Sequence, residues 1–230
     1  MEYVTGDIHG NKDKWDQLLK LICLGRDDIL YVNGDAIDRG PDGIEILQEI
    51  KNIPNTRMLL GNHEHMMLQY YAPGDDTQTI SNWMRNGGRR TYHTFRKLPE
   101  DEQQELLAWL RSLPTHLEIT VNGQTFYLVH GWPSTEPRRE VWGRPRGISD
   151  KSLLVPQGAR LIIGHTPVGL VTCETEGEMD FYFRKLEQTG AHMLILHAPD
   201  FIDLDCGCGH HVPGTALGCL RLDDMAEFYV

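Results

Sequence analysis

The feature that most constrains this 230-residue chain is a series of strand-length apolar runs, each cut short by glycine and polar side chains. "EYVT" (2–5) leads into Gly6-Asp7-Ile8-His9-Gly10, and "ILYVN" (29–33) into Gly34-Asp35-Ala36-Ile37-Asp38-Arg39-Gly40. "RMLL" (57–60) leads into Gly61-Asn62-His63-Glu64. Between these runs the apolar period changes to that of a helix. Asn11 can cap a helix with Trp15, Leu18, Leu19 and Ile22 on one side and Gly25 as its stop. Pro41 suits the first turn of a second helix, whose Ile44, Leu47 and Ile50 form a stripe ending at Pro54. Strand, helix, strand, helix, strand with short loops implies βαβ units and a parallel sheet covered on both faces.

The middle of the chain is more helical. One helix is expected over 63–70, with Met66 and Met67 as core packing and His65 structural or solvent-facing. A polar break, "APGDDTQ", precedes a helix starting in "TISNWM", and "PEDEQQELLAWLRSL" (99–113) is amphipathic. The segment after the first of these helices, about 71–113, makes a small helical insertion between the third and fourth core strands. The β pattern returns in "HLEIT" and "TFYLVH", joined by the hairpin signal Asn122-Gly123, and in "RLIIG" (160–164). "HMLIL", "DFIDL" and "LGCLRL" read as further β-structure closing the domain. With no repeat or linker, a single domain over 1–230 is expected.

Composition removes several function classes. A net charge of −11 supplies no basic field for nucleic acid or an anionic membrane. Clustered metals and arginines can still reverse the sign locally for an anionic substrate. No segment approaches the ~18 unbroken apolar residues of a membrane helix. The start, "MEYVTGDIHG", lacks a basic stretch followed by an apolar run, and five cysteines without CxxC spacing suit a reducing compartment. A cytoplasmic protein is expected.

Two later strands end in the same manner, His130-Gly131 after "FYLV" and Gly164-His165-Thr166-Pro167 after "LII". In open α/β sheets, ligands bind beyond the carboxyl ends of the strands. Asp7, His9, Asp35, Asn62, His130 and His165 are therefore candidate metal ligands on one rim. They are too many for one zinc with an open position, and they suit two adjacent ions sharing a carboxylate. Mixed oxygen and nitrogen donors without thiolate favour Mn²⁺, Fe or Zn²⁺ over Ca²⁺ or Mg²⁺. Taken singly, Gly-Asp-x-His-Gly serves equally as a capped turn, and either late histidine as a hydrogen-bonded strand end. All five in order are much harder to obtain from turns.

The motifs "GDIHG", "GDAIDRG", "GNHE", "VHG" and "GHTP" resemble those of the metallophosphoesterase superfamily, as do "NWMRNGG" (82–88), "VWGRPR" (141–146) and "IDLDCG" (202–207). The resemblance is to its phosphoprotein (serine/threonine) phosphatase branch, with bacterial and bacteriophage lambda members. It implies an α/β fold: a β-sandwich core built from βαβ units and flanked by helices. It implies that Asp7, His9 and Asp35 hold one divalent ion, and that Asp35 bridges to a second completed by Asn62, His130 and His165. Mn²⁺ is the first choice, with Fe or Zn the others. A metal-bridging hydroxide would attack phosphorus directly, without a phosphoenzyme. His63 would protonate the leaving oxygen with Asp38 orienting its ring, while Arg39 and Arg144 clamp the phosphate.

The implied function is a binuclear metal-dependent phosphoester hydrolase, foremost a serine/threonine-type protein phosphatase acting on phosphorylated proteins, peptides or small phosphoesters. The alternatives are a nucleotide or diadenosine polyphosphate hydrolase of the same fold, and a non-catalytic scaffold binding phosphorylated partners. Nothing in the sequence bears on oligomeric state. One departure matters: protein phosphatases of this branch usually carry arginine before Gly-Asn-His-Glu, and Leu60 stands here. The related symmetrical diadenosine tetraphosphate hydrolases also tend to be apolar there, but typically lack the equivalents of Asp38 and Glu64. Arg89, Arg90, Arg138, Arg139 and Arg146 are candidates to replace the missing arginine, each also readable as solvated surface charge. "CGCGHH" (206–211) offers two thiols and two imidazoles, in a spacing that matches no zinc pattern.

Overall fold

A computed structural model describes residues 1–72, 81–173, 176–210 and 212–230. Three parallel strands, β1 (Glu2–Thr5), β2 (Ile29–Val32) and β3 (Thr56–Met58), are joined by helices α1 (Lys12–Ile22) and α2 (Gly43–Asn52). Strands β9 (Gly218–Arg221) and β10 (Ala226–Tyr229) extend this sheet antiparallel, in the order β10-β9-β1-β2-β3. The second sheet runs β4-β5-β6-β8-β7, from β4 (His116–Val121), β5 (Gln124–Val129), β6 (Arg160–Ile163), β7 (Leu196–His197) and β8 (Phe201–Asp203). Strands β5, β6 and β8 are parallel.

Side-chain alternation builds three apolar layers from two sheets. Val4, Tyr31 and Leu220 of the first sheet meet Phe126, Leu128, Ile162 and Ile202 of the second, so the sheets form a sandwich. On the outer face of the first, Tyr3, Leu30 and Val32 pack with Trp15 and Leu18 of α1 and Ile44 and Leu47 of α2. Tyr127, Val129, Leu161 and Ile163 cover the outer face of the second. At β1, β2 and β5, neighbouring residues thus serve different cores, which is why these strands read as continuous apolar runs.

The local signals mostly act as anticipated. The Asn11 side chain caps α1 by accepting from the Lys14 N–H, and Asn122 and Gly123 turn the β4–β5 hairpin with φ of 49° and 84°. The stop of α1 differs: Cys23, at φ 46°, ends it two residues before Gly25. Gly25 instead donates its N–H to Asp28.

Helix α3 (Asn62–Tyr70) leads from β3 into the helical insertion that precedes β4. The insertion continues through a π-helical turn (Met84–Gly88), α4 (Arg89–Phe95) and α5 (Glu100–Ser112). Most of "APGDDTQ" and the first two residues of "TISNWM" lie outside the described residues. Met66 and Met67 are fully buried in the helical layer, as expected.

The later chain is less uniformly β than its pattern suggests. It contains α6 (Pro137–Glu140), α7 (Val168–Thr172) and α8 (Glu176–Thr189), and only Leu196 of "HMLIL" is in a strand. In α8 the aromatic triplet Phe181-Tyr182-Phe183 hides the helical period. Tyr182, Phe183 and Leu186 pack toward the sandwich while Phe181 is left 71% exposed. No helix among the described residues is long and apolar enough to cross a membrane.

Candidate metal centre

Five strands deliver the candidate ligands to one edge of the sandwich, where the two sheets are stitched together. Asn33, just past β2, donates from Nδ2 to the Val129 carbonyl at 3.1 Å. Its own carbonyl lies 2.7 Å from His130 Nδ1. The His165 N–H reaches Asp7 Oδ1 at 3.2 Å, and the Gly164 N–H the His130 carbonyl at 2.8 Å. Asp7, His9, Asp35, Asn62, His63 and His130 are all 3% exposed or less, and His165 8%.

The backbone turns sharply to aim these groups. His9, Asp35, Asp38, Arg39 and His165 all have left-handed φ, between 50° and 70°. That conformation is costly for side chains with a Cβ and clusters at functional sites. Two glycines make the approach possible. A Cβ on Gly34 (φ +94°) would lie 2.7 Å from both Gly61 Cα and His130 Nδ1, and one on Gly61 would run into Asp35 Oδ1.

Asp35 sits at the middle. Its Oδ2 lies 3.7 Å from His9 Nε2 and 3.8 Å from His63 Nε2, and its Oδ1 3.3 Å from His130 Nε2. Asp7 Oδ2 is 3.9 Å from His9 Nε2, and Asn62 Oδ1 is 2.9 Å from His130 Nε2. Two groups of donors result, His9-Asp35-His63 and Asp35-His130-His165, with ligand atoms close enough to share an ion and Asp35 in both. The remaining ring nitrogens of His9 and His130 are occupied by the carbonyls of Ile37 (3.0 Å) and Asn33, which leaves each Nε2 facing inward. His165 Nε2 is buried without a hydrogen-bond partner, which suits a metal ligand. Burial, with His130 and Arg144 adding positive charge, pushes the His165 pKa down to about 3, so its ring is neutral and can donate a lone pair. Burial also opposes charge on His130, but Asp35 and Asp7 outweigh it and lift this pKa to about 10. A cation binding there displaces that proton. The donor set and the unpartnered His165 nitrogen fit a binuclear divalent centre.

His63 is held differently from the other imidazoles. Its Nδ1 lies 2.7 Å from Asp38 Oδ2, and the same oxygen accepts the Trp83 indole N–H at 2.8 Å. Burial disfavours charge on His63, yet Asp35 and Asp38 raise its pKa overall. Trp83 is fully buried among Tyr70 and Tyr71, so the helical insertion orients the ring through Asp38. "NWMRNGG" marks this tryptophan only as a point of similarity, and its contact is not readable from sequence.

Glu64, in sequence simply the last residue of Gly-Asn-His-Glu, has a structural job. Its carboxylate accepts the backbone N–H groups of Asp35 (2.9 Å), Ala36 (2.9 Å), Ile37 (3.2 Å) and Gly61 (3.1 Å). Burial and Asp35 push its pKa up to about 7, but four N–H donors are fully satisfied only by the ionised form. Glu64→Gln turns an amide NH₂ toward these donors. It should destabilise the metal-free protein by about 2–4 kcal/mol, read by denaturant titration in chelator. An unchanged midpoint would remove Glu64 from this role.

The arginines divide. Half-buried Arg39 bears electrostatically on His9 and His63, and its Nη1 lies 3.5 Å from His210 Nε2. Arg144 is exposed and bears on His165. Arg89, Arg90, Arg138, Arg139 and Arg146 are all exposed; Arg138 bears on His65, and Arg139 pairs with Glu136 at 3.0 Å. Leu60 is half-buried, with its N–H on the Pro114 carbonyl at 2.8 Å.

The cysteine motif does not converge. Cys206 belongs to the sandwich core and Cys208 to the helical layer, on opposite faces of their segment. Burial raises both thiol pKa values, Cys208 to about 12, which opposes thiolate ligation. His211 lies outside the described residues.

Fold and donor set agree with the family match: the chain belongs to the calcineurin-like phosphoesterase family, whose model matches residues 3–211. It is 34% identical over 139 residues to serine/threonine-protein phosphatase 2 of Escherichia coli (strain K12), covering 58% of this chain and 60% of that protein. It is 33% identical over 114 residues to the symmetrical bis(5'-nucleosyl)-tetraphosphatase of Baumannia cicadellinicola subsp. Homalodisca coagulata, covering 49% of this chain and 36% of that protein. The chain therefore spans less than two thirds of either relative. A Saccharomyces cerevisiae serine/threonine phosphatase structure similar to human phosphatase PP5 aligns with TM-score 0.61 and 14% identity, over 100% of this chain and 78% of that one. A putative diadenosine tetraphosphatase structure aligns with TM-score 0.60 and 16% identity, over 100% and 92%. At such identities the structural likeness speaks for the fold alone.

Proposed function

We propose that this phosphoester hydrolase acts on phosphoserine and phosphothreonine in proteins. The observation that carries the reading is the 2.7 Å contact between His63 and Asp38, present beside two groups of metal donors that share Asp35. Asp38 fixes the His63 tautomer by engaging Nδ1, so Nε2 is the atom that holds the transferable proton. In this role His63 donates to the leaving oxygen of the serine or threonine, and Asp38 stabilises the ring while it is charged. Arg39 and Arg144 bind the phosphoryl oxygens from two sides, next to His9 and His63 and next to His165. Asp7, His9 and Asp35 would hold one divalent ion, and Asp35, Asn62, His130 and His165 the other, with Mn²⁺ the first choice. When bound, the ions supply Lewis acidity and charge neutralisation at the phosphoryl group. The buried donors and Glu64 keep the ligand atoms in place without reorganisation.

Coverage also favours this substrate class, since the E. coli phosphatase is matched over 60% of its length and the tetraphosphatase over 36%. A second reading, hydrolysis of dinucleoside polyphosphates, is favoured by Leu60 at the position usually held by arginine in the protein phosphatases. A panel of phosphopeptides, para-nitrophenyl phosphate, ATP and diadenosine tetraphosphate with Mn²⁺ separates the two. Turnover of phosphopeptides and aryl phosphate is expected. Rapid nucleotide hydrolysis with negligible phosphopeptide turnover would establish the second reading instead.

A further inference from the structure

Although the chain carries a net charge of −11, one open cleft beside the metal centre has the opposite character. It measures about 610 Å³ and is lined by Arg139, Arg144, Arg146 and Lys151 against a single acid, Asp150. Asp150 is occupied locally: its carboxylate accepts the backbone N–H groups of Arg146 at 2.9 Å and Lys151 at 3.0 Å. These bonds tie together the loop that presents both cations. Arg139 is paired with Glu136. No carboxylate among the described residues forms an ion pair with Arg144, Arg146 or Lys151.

The cleft's wall is built on the segments that follow His130 and run beside His165. Trp132 in its wall follows His130 by two residues and packs edge-on against Phe201 of β8. The Gly131 and Trp132 N–H groups both reach the Glu140 carbonyl, and the Gly143 N–H the Arg139 carbonyl, so the wall is braced against the end of β5. Trp142 lies edge-on to His165, with ring centroids 6.0 Å apart. Arg144, which bears electrostatically on His165, shares this cleft with a further pair of cations. Unpaired like charges held together on an acidic protein repel one another, and an anion in the cleft relieves that repulsion.

We propose that this cleft is a second subsite, seating an anionic side chain, carboxylate or phosphoryl, that flanks the phosphorylated residue of a peptide substrate. The inference rests on the phosphopeptide reading above. Arg146 and Lys151 read the flanking charge, while Arg144 binds the scissile phosphate. Such contacts are screened by salt, so the selectivity belongs to low ionic strength.

The test compares kcat/KM of the Mn²⁺-loaded protein on matched phosphopeptides whose flanks are neutral, glutamate-bearing or carry a second phosphoserine. Acidic flanks should be preferred by about fivefold to tenfold, with the preference shrinking in high salt. The Glu and phosphoserine arms show which anion the subsite takes. In Arg146→Glu/Lys151→Glu the ratio of acidic to neutral rates should vanish or invert, and in Arg146→Gln/Lys151→Gln it should be intermediate. Thermal melts confirm that both variants fold. Equal rates on acidic and neutral flanks in the wild type, or a ratio indifferent to charge reversal, overturn the subsite while leaving phosphopeptide hydrolysis intact. Hydrolysis of nucleotides but of no phosphopeptide overturns both readings and reassigns the cations to a polyphosphate chain. A protein that hydrolyses no phosphoester removes the functional reading and this subsite with it.

Discussion

His63→Asn is expected to lower kcat by about 10²–10⁴-fold while the protein keeps its full metal content. Geometry makes the outcome decisive, because His63 Nε2 is 3.8 Å from Asp35 Oδ2 and belongs by distance to a group with His9 and Asp35. It could thus serve as a ligand or as a proton donor. What separates it from His9 and His130 is the partner of Nδ1. Those two rings rest on neutral backbone carbonyls, whereas His63 rests on the Asp38 carboxylate, itself fixed by Trp83. A carboxylate partner raises the pKa and stabilises the charged ring, which suits a general acid. Asparagine preserves polarity but cannot supply the proton. Elemental analysis beside steady-state kinetics distinguishes the roles: loss of an ion in the variant would make His63 a ligand. Asp38→Asn should cost less than His63→Asn, and the double variant little more than His63→Asn alone, since both act through one proton.

Asp35→Asn should weaken both ions together, by at least about a hundredfold, because even outer-shell partners of metal ligands are worth 10–100-fold. Asp35 is the one acid common to both donor groups, with Oδ2 toward His9 and Oδ1 toward His130. Asparagine retains an oxygen to accept the His63 N–H, bonded at 3.0 Å in the wild type, and tolerates the φ of 50° that this position requires. The fold should therefore survive while the shared charge is lost. Metal titration followed by elemental analysis reads the result. A variant that still holds one full equivalent at wild-type affinity would contradict sharing and place Asp35 with a single ion.

These expectations depend on features legible to different degrees. The strand ends were legible because an apolar run, a glycine and a polar group are all local. So was the alternation of β1 to β3 with α1 and α2, where capping by Asn11 and the Ile44-Leu47 stripe are written within a few residues of each other. Helix α8 was not, because a run of three aromatics looks alike in a strand and in a helix half-packed on a sandwich. The mixed fates of Cys206 and Cys208 were equally hidden. Only the direction of each side chain, into one core or the other, separates two thiols that sit two residues apart in sequence.

By itself the sequence determined which chemistry is present: oxygen and imidazole donors at five strand ends, a candidate acid with a carboxylate nearby, and family motifs spread along most of the chain. Tertiary structure decided which atoms meet. Asp7 and His165 are 158 positions apart and belong to different sheets, yet they are hydrogen-bonded at the edge where the sandwich closes. Left-handed turns at His9, Asp35 and His165 point the donors inward, Glu64 pins the loop that carries Asp35, and Trp83 reaches Asp38 from the inserted helices. None of this follows from local propensity, because each contact depends on long-range packing that outweighs the cost of an unfavourable local backbone. The same packing gathers Arg144, Arg146 and Lys151 into one cleft of an otherwise acidic protein, where the spacing of three cations along the chain says nothing about a common target.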